Sequence, residues 1–186
     1  MDRPGGDIWI FGYGSLMWRP NFPFSRAAPA LLRGYHRALC IYSTEYRGTW
    51  ERPGLVLGLN RGGSCRGRAM KVAGKDADEV IAYLHEREMV NRVYVPKWLP
   101  IALPAGAGGG EKKVQAYAFV ADRGHEKFVS PLSEAETVKL ILQGRGKMGT
   151  CLDYVQSLVR HLDELGIPDG PLHRMVRLAE EASRKR

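Results

Sequence analysis

Two places in this chain hold residues whose types and spacing suit chemistry. The first is residues 8–18, which read I-W-I-F-G-Y-G-S-L-M-W. Ile8, Trp9, Ile10 and Phe11 are β-branched or aromatic and suit a buried strand. Gly12 and Gly14 remove the Cβ atoms that would stop the backbone from turning sharply or being approached closely. Tyr13 and Ser15 add hydroxyls, and the successive N–H groups of such a turn can converge on one negative oxygen. Tyr13, Gly14, Ser15 and Leu16 are therefore a candidate cradle for an anion or an oxyanion. The same pattern also fits an ordinary strand exit with two turn glycines, and local sequence leaves both readings open.

The second place is Glu88, in a glycine-free stretch over residues 75–92 that reads as a helix, with Asp76 or Asp78 available as its N-cap. At about 100° per residue, Ala77, Val80, Ile81 and Leu84 share one side, and the same count carries Glu88 into that stripe and Glu86 to the opposite side. An inward carboxylate needs a partner or a proton, and desolvation raises its pKa toward the range useful to a general base. The alternative is a last-turn ion pair between Glu88 and Arg92 at i,i+4 spacing. Periodicity does not choose between them.

Other signals are weaker. Gly144-Arg145-Gly146-Lys147 follows a helical stretch and lacks the G-x-x-x-x-G-K-[ST] spacing of a phosphate loop. Y-G-S-L around Ser15 is not the G-x-S-x-G nucleophile elbow. Tyr154 lies at the edge of an apolar helix face, where a pocket hydroxyl and a plain core ring fit equally. His36, His85, His125, His161 and His173 show no i,i+4 pair or Cys/His cluster, so no metal is expected. Cys40, Cys65 and Cys151 are far apart and odd in number, as buried thiols would be rather than a disulfide framework.

The elements that must position these residues alternate irregularly. After the first strand, residues 18–29 carry three prolines and read as a loop; residues 31–43 read as a half-exposed strand leading into the polar, aromatic loop of residues 44–54. Residues 55–60 and 65–72 flank Arg61-Gly62-Gly63-Ser64, and that spacing predicts a β-hairpin. Strands are expected over residues 92–103 and 112–121, joined by a glycine-rich loop at residues 104–110 that is a candidate gate. Ser133 with Glu136 predicts a capping box opening a helix over residues 134–142. Thr150 caps a second helix running to Leu165, and Pro171 starts a last short one. This order excludes a regular βαβ alternation. It favours an α+β domain with a mostly antiparallel or mixed sheet able to curl into a barrel.

Length and composition fit one globular domain: 186 residues, 44% hydrophobic and 26% charged, with no run long enough to span a membrane and no secretory leader. A cytoplasmic location is the expectation. The formal charge of +8 permits attraction to nucleic acid or to a small anion, and part of it lies in a basic tail at residues 183–186. A basic RNA- or partner-binding module would need a coherent basic stripe or stacking aromatics, which the sequence does not display, so neither nucleic acid nor membrane is expected as a partner.

Four stretches in order, F-G-Y-G-S-L-M-W, S-T-E-Y-R-G-T-W-E-R-P-G, R-G-G-S-C-R-G and Y-L-H-E-R-E, resemble the ChaC-type γ-glutamylcyclotransferases over about residues 8–165. The resemblance implies a cyclotransferase-like small mixed β-barrel with flanking helices. It also implies a lyase that cleaves glutathione to 5-oxoproline and cysteinylglycine, with other γ-glutamyl peptides or amines as alternative substrates. It maps the γ-glutamyl-holding loop onto Tyr13, Gly14, Ser15 and Leu16, and the catalytic glutamate onto Glu88. Ser43, Glu45 and Arg47 match the second stretch, and a guanidinium fork at Arg47 would suit a substrate carboxylate. The resemblance implies a pocket role for Tyr154, the tyrosine of a family Glu-Tyr-Leu from which this chain departs on both sides, with Asp153-Tyr154-Val155. The implied reaction is an intramolecular aminolysis that needs no cofactor, with Glu88 as base and then acid.

Overall fold

A computed structural model describes residues 5–105 and 109–185. It has two compact units. The first takes Leu59–Val120 with the described residues up to Arg37; the second takes Ala38–Gly58 with the described residues from Ala121 on.

Five strands close a barrel: β1 (Ile8–Gly12), β2 (Arg26–Ser43), β3 (Gly54–Val72), β4 (Tyr94–Pro104) and β5 (Glu111–Ala121), in the spatial order β1-β3-β2-β4-β5. β1 lies antiparallel to β3, with Ile8 opposite Val72 and Gly12 opposite Arg68, and parallel to β5, with Ile10 opposite Tyr117. The barrel is thus mixed, and closure leaves no open edge. α1 (Ala77–Glu88) follows β3. Ala77, Val80 and Leu84 on its inner face join Ile8, Ile10, Leu16, Met70, Val72, Tyr117 and Phe119 in the core of the first unit. Burying each such Leu, Ile or Val contributes about 1.5–3 kcal/mol, and this burial sets the rotation of α1.

The second unit holds the ends of β2 and β3 with the loop that joins them, and α2 (Glu134–Gln143), β6 (Arg145–Gly146), β7 (Gly149–Thr150), α3 (Cys151–Glu164) and α4 (Gly170–Arg184). The expected capping box forms at Ser133, whose hydroxyl accepts from Glu136 N, and the expected cap at Thr150 is itself a capping box, its hydroxyl accepting from Asp153 N; in both the acid answers the cap backbone. α4 is longer than the short helix expected and continues through Ser183 and Arg184, so these two residues of the basic end extend it. Leu55, Ile141, Cys151, Val155, Val176 and Ala179 form this unit's core.

Three expectations are corrected. Arg61-Gly62-Gly63-Ser64 does not turn a hairpin: β3 runs unbroken from Gly54 to Val72, with Gly62 and Gly63 inside it at φ +99° and +66°. Two adjacent left-handed glycines signal a two-residue turn or a kink within a long strand equally well, and here the long-range pairing takes the second. The helix expected to reach Arg92 ends at Glu88: its C-cap Met89, at φ −100° and ψ +12°, has departed from helical geometry, Arg92 is left-handed at φ +50°, and Tyr94 already belongs to β4. β2 begins at Arg26, inside the expected proline-rich loop, and tolerates Pro29 at an exposed position. The proposed gate at residues 104–110 includes residues 106–108, which lie outside the described residues.

Candidate active site

In the first unit, β1 delivers the chain to Gly12, and residues 15–17 then form a single 3-10 turn. Met17 N donates to Gly14 O at 2.9 Å and Arg19 N to Ser15 O at 2.8 Å. Leu16 and Met17 are buried and anchor the turn, while Ser15 is exposed. A Cβ on Gly12 would lie 3.3 Å from both Leu16 Cβ and Met17 N, so glycine lets the turn fold back tightly on the strand end. Among the described residues the N–H groups of Gly14, Ser15 and Leu16 have no acceptor. They are the donors available to an oxygen held at this loop.

The carbonyls of the same loop are held from behind. Buried Arg37 donates from Nε to Tyr13 O at 2.6 Å and from Nη2 to Arg66 O at 2.7 Å; Arg68 Nη1 donates to Met17 O at 2.6 Å. Arg37→Met leaves two carbonyls without these donors and is expected to cost about 1–3 kcal/mol, read as a lower denaturation midpoint at unchanged slope.

Glu88 is the last residue of α1, one turn beyond fully buried Leu84. Its side chain is 21% exposed, while Glu86 on the opposite side is exposed. Burial raises the Glu88 pKa above the ordinary carboxylate value, and the attraction and hydrogen bond of Arg87 oppose that rise in part. The i,i+4 partner considered from spacing is therefore replaced by the preceding residue: Arg87 Nε lies 3.1 Å from Glu88 Oε1. The same guanidinium donates from Nη2 to Ser15 Oγ at 3.0 Å. Within the first unit Glu88 and the glycine loop are thus brought together, one guanidinium apart.

α1 also carries His85, which joins an aromatic group. His85 Nε2 and Tyr117 Oη are 2.6 Å apart, and Trp98 and Phe119 pack on the Tyr117 ring. Burial raises the Tyr117 pKa.

Arg47 and Tyr154 meet each other in the second unit, with the guanidinium 5.4 Å from the ring centroid. Arg47 Nη1 donates to the carbonyls of Met148 and Thr150, and Leu57 N donates to Tyr154 Oη at 3.3 Å. Ser43 Oγ accepts from Arg47 N at 3.0 Å, and Glu45 pairs with Lys147 at 2.8 Å. These contacts brace the loop of residues 44–53 against the β6–β7 hairpin. Gly144-Arg145-Gly146-Lys147 supplies that hairpin: Lys147 N and Met148 N donate to Glu45 O and Tyr46 O. All three cysteines are buried, and burial pushes the Cys40 and Cys151 thiols up to about 12 and about 11.

Arg37, Arg68 and Arg87 gave no signal in the sequence. Two lie within strands, where an arginine reads as a solvent-facing residue, and Arg87 is adjacent to Glu88, a spacing that does not place two helical side chains face to face.

The ChaC-like protein family model matches residues 8–182, which takes in residues of both units. The chain is 34% identical over 171 residues to the glutathione-specific γ-glutamylcyclotransferase of Escherichia coli (strain K12), covering 92% of this chain and 72% of that protein. It is 33% identical over 169 residues to the human glutathione-specific γ-glutamylcyclotransferase 1, covering 88% and 75%. The crystal structure of a yeast γ-glutamylcyclotransferase specific to glutathione shares the fold, with a TM-score of 0.83 over 95% of this chain and 97% of that one at 22% identity. With its glycine loop, its inward glutamate and the length of its match, the chain belongs to the ChaC-like family of γ-glutamylcyclotransferases.

Proposed function

We propose that this protein is a γ-glutamylcyclotransferase that converts glutathione into 5-oxoproline and cysteinylglycine. The observation that carries the reading is the half-buried Glu88 carboxylate, joined through one guanidinium to Ser15 of the glycine loop. The names of the similar enzymes support glutathione as the substrate. The buried cysteine thiols fit the reducing cytoplasm.

In this reading residues 13–16 hold the γ-glutamyl group. Glu88, made more basic by burial, takes a proton from the substrate α-ammonium. The freed amine attacks the γ-carbonyl carbon, and the oxyanion that forms is met by the N–H groups of Gly14, Ser15 and Leu16. Each such donor is typically worth about 3–4 kcal/mol to a transition state. The attacking nitrogen, cationic once its bond to that carbon has formed, gives up its second proton as the oxyanion re-forms the carbonyl and the bond from that carbon to the cysteine nitrogen breaks. Protonated Glu88 returns its proton to the departing nitrogen, and the released amine takes up the second. Nucleophile and electrophile belong to one molecule, so the site has mainly to fold the glutamyl chain into attacking geometry. Arg47 and Tyr154 serve by bracing their loop, since the bonds they make run to protein groups.

Purified protein incubated in parallel with glutathione, γ-glutamyl-alanine and γ-glutamyl-lysine is expected to release 5-oxoproline fastest from glutathione. Faster release from either of the others transfers the assignment to that substrate. Release from none, together with salt-dependent binding of RNA, would overturn the enzyme reading in favour of a basic binding module.

A further inference from the structure

Arg87 makes more polar contacts than any mechanism of base and cradle requires. Besides Glu88 Oε1 and Ser15 Oγ, its Nη1 donates to Arg19 O at 2.6 Å, to Pro20 O at 3.3 Å and to Tyr83 Oη at 3.0 Å. One guanidinium therefore touches three separate pieces of the first unit: the last turn of α1, the 3-10 turn after β1, and the backbone that leaves that turn. Its side chain is 19% exposed; the bonds to Pro20 O and Tyr83 Oη are part-buried, while those to Ser15 Oγ and Arg19 O lie at the exposed rim. Helix end and glycine loop are each anchored by their own apolar residues, Leu84 and Leu16, in one core. Apolar packing fixes where the backbones lie but leaves an outward hydroxyl and a helix-terminal carboxylate free to rotate. The planar, forked guanidinium removes that freedom because its donors point in fixed directions.

We propose that Arg87 is a positioning residue, a clamp that holds the Glu88 carboxylate in register with Ser15 so that base and glutamyl cradle act on the same substrate. This rests on Glu88 being the base. The clamp has two separable parts, a charge and a geometry. Among the described residues Arg87 is the charged group that acts on Glu88; Tyr83 and Ser15 present hydroxyls to the guanidinium, and His85 on the same helix turns to Tyr117. Lysine keeps the charge and loses the fork, so it separates the two.

The test is 5-oxoproline release from glutathione, followed across pH for R87Q and R87K, with melting curves to establish folding. R87Q is expected to lower kcat between about 10- and 100-fold, with a smaller change in KM. The acidic limb of its kcat/KM profile should move to higher pH, since the cation that opposes the effect of burial on Glu88 is gone. R87K should return the limb to its parental position and leave kcat low. Parental kcat in R87Q overturns the clamp, and so does an R87K that recovers kcat in full. If R87Q does not fold, the double variant R87K with Ser15→Ala decides. Two ends of one clamp lose no more together than singly, whereas independent, multiplying losses overturn the proposal. E88Q measured alongside keeps the two claims apart: an active E88Q removes the reading of Glu88 itself, while an inactive E88Q beside a parental R87Q removes only the clamp.

Discussion

Glu88→Gln is expected to abolish 5-oxoproline release, lowering kcat by about 100- to 10,000-fold as the loss of a general base and acid does, and to leave the fold intact. Glutamine keeps the size and the hydrogen-bonding reach of the side chain and cannot take the proton. Glu86→Gln, two residues earlier on the exposed side of α1, should retain parental kcat and KM. A substantial residual rate in Glu88→Gln would move the base elsewhere.

The same substitution has a stability signature with a definite sign. Burial raises the Glu88 pKa in the folded protein, so the native state binds more protons than the unfolded chain between the two values. Native stability therefore falls as pH rises from the ordinary carboxylate range through the folded value, and the full penalty of keeping the carboxylate buried is present above it. Glutamine escapes that penalty. E88Q is expected to melt at or above the parental temperature near neutral pH, and its advantage should vanish as pH falls below the folded value. Melting curves of both proteins from about pH 4 to about pH 8 check this. A mutant that melts lower at neutral pH would show that the Arg87 ion pair outweighs burial.

Leu84→Ala should have the largest effect on stability. Leu84 is fully buried in the core formed by α1 and the barrel strands, and truncating such a leucine costs about 2–5 kcal/mol through lost burial and the cavity left behind. Against a typical net stability of about 5–15 kcal/mol this is a large share. Leu84 also fixes the rotation of the turn that ends in Glu88, so activity should fall at temperatures where the variant is still folded. Leu165→Ala, at a position 37% exposed, is the matched control and should stay within about 0.5 kcal/mol of the parent in denaturant unfolding.

What the sequence by itself determined is local. The alternation of apolar and polar residues over α1 places Glu88 and Glu86 on different sides, because the helical repeat is a property of consecutive residues. The capping box at Ser133 and the cap at Thr150 were legible for the same reason, since cap and capped N–H lie within one turn; that Asp153 answers Thr150 came from the structure. The glycine loop was legible as a strand running into a turn. The tertiary structure decided everything that joins distant residues: that Gly62-Gly63 bends one long strand instead of closing a hairpin, that α1 stops at Glu88, and that Arg47 braces the β6–β7 turn. It also decided the arginines. Arg37, Arg68 and Arg87 each reach carbonyls or hydroxyls more than 20 residues away in the chain, and a long flexible cation carries no periodicity that announces its partner. The facing of a side chain follows from the backbone repeat around it; the atoms it meets depend on how separate elements pack, and the clamp between Glu88 and Ser15 is made at that second level.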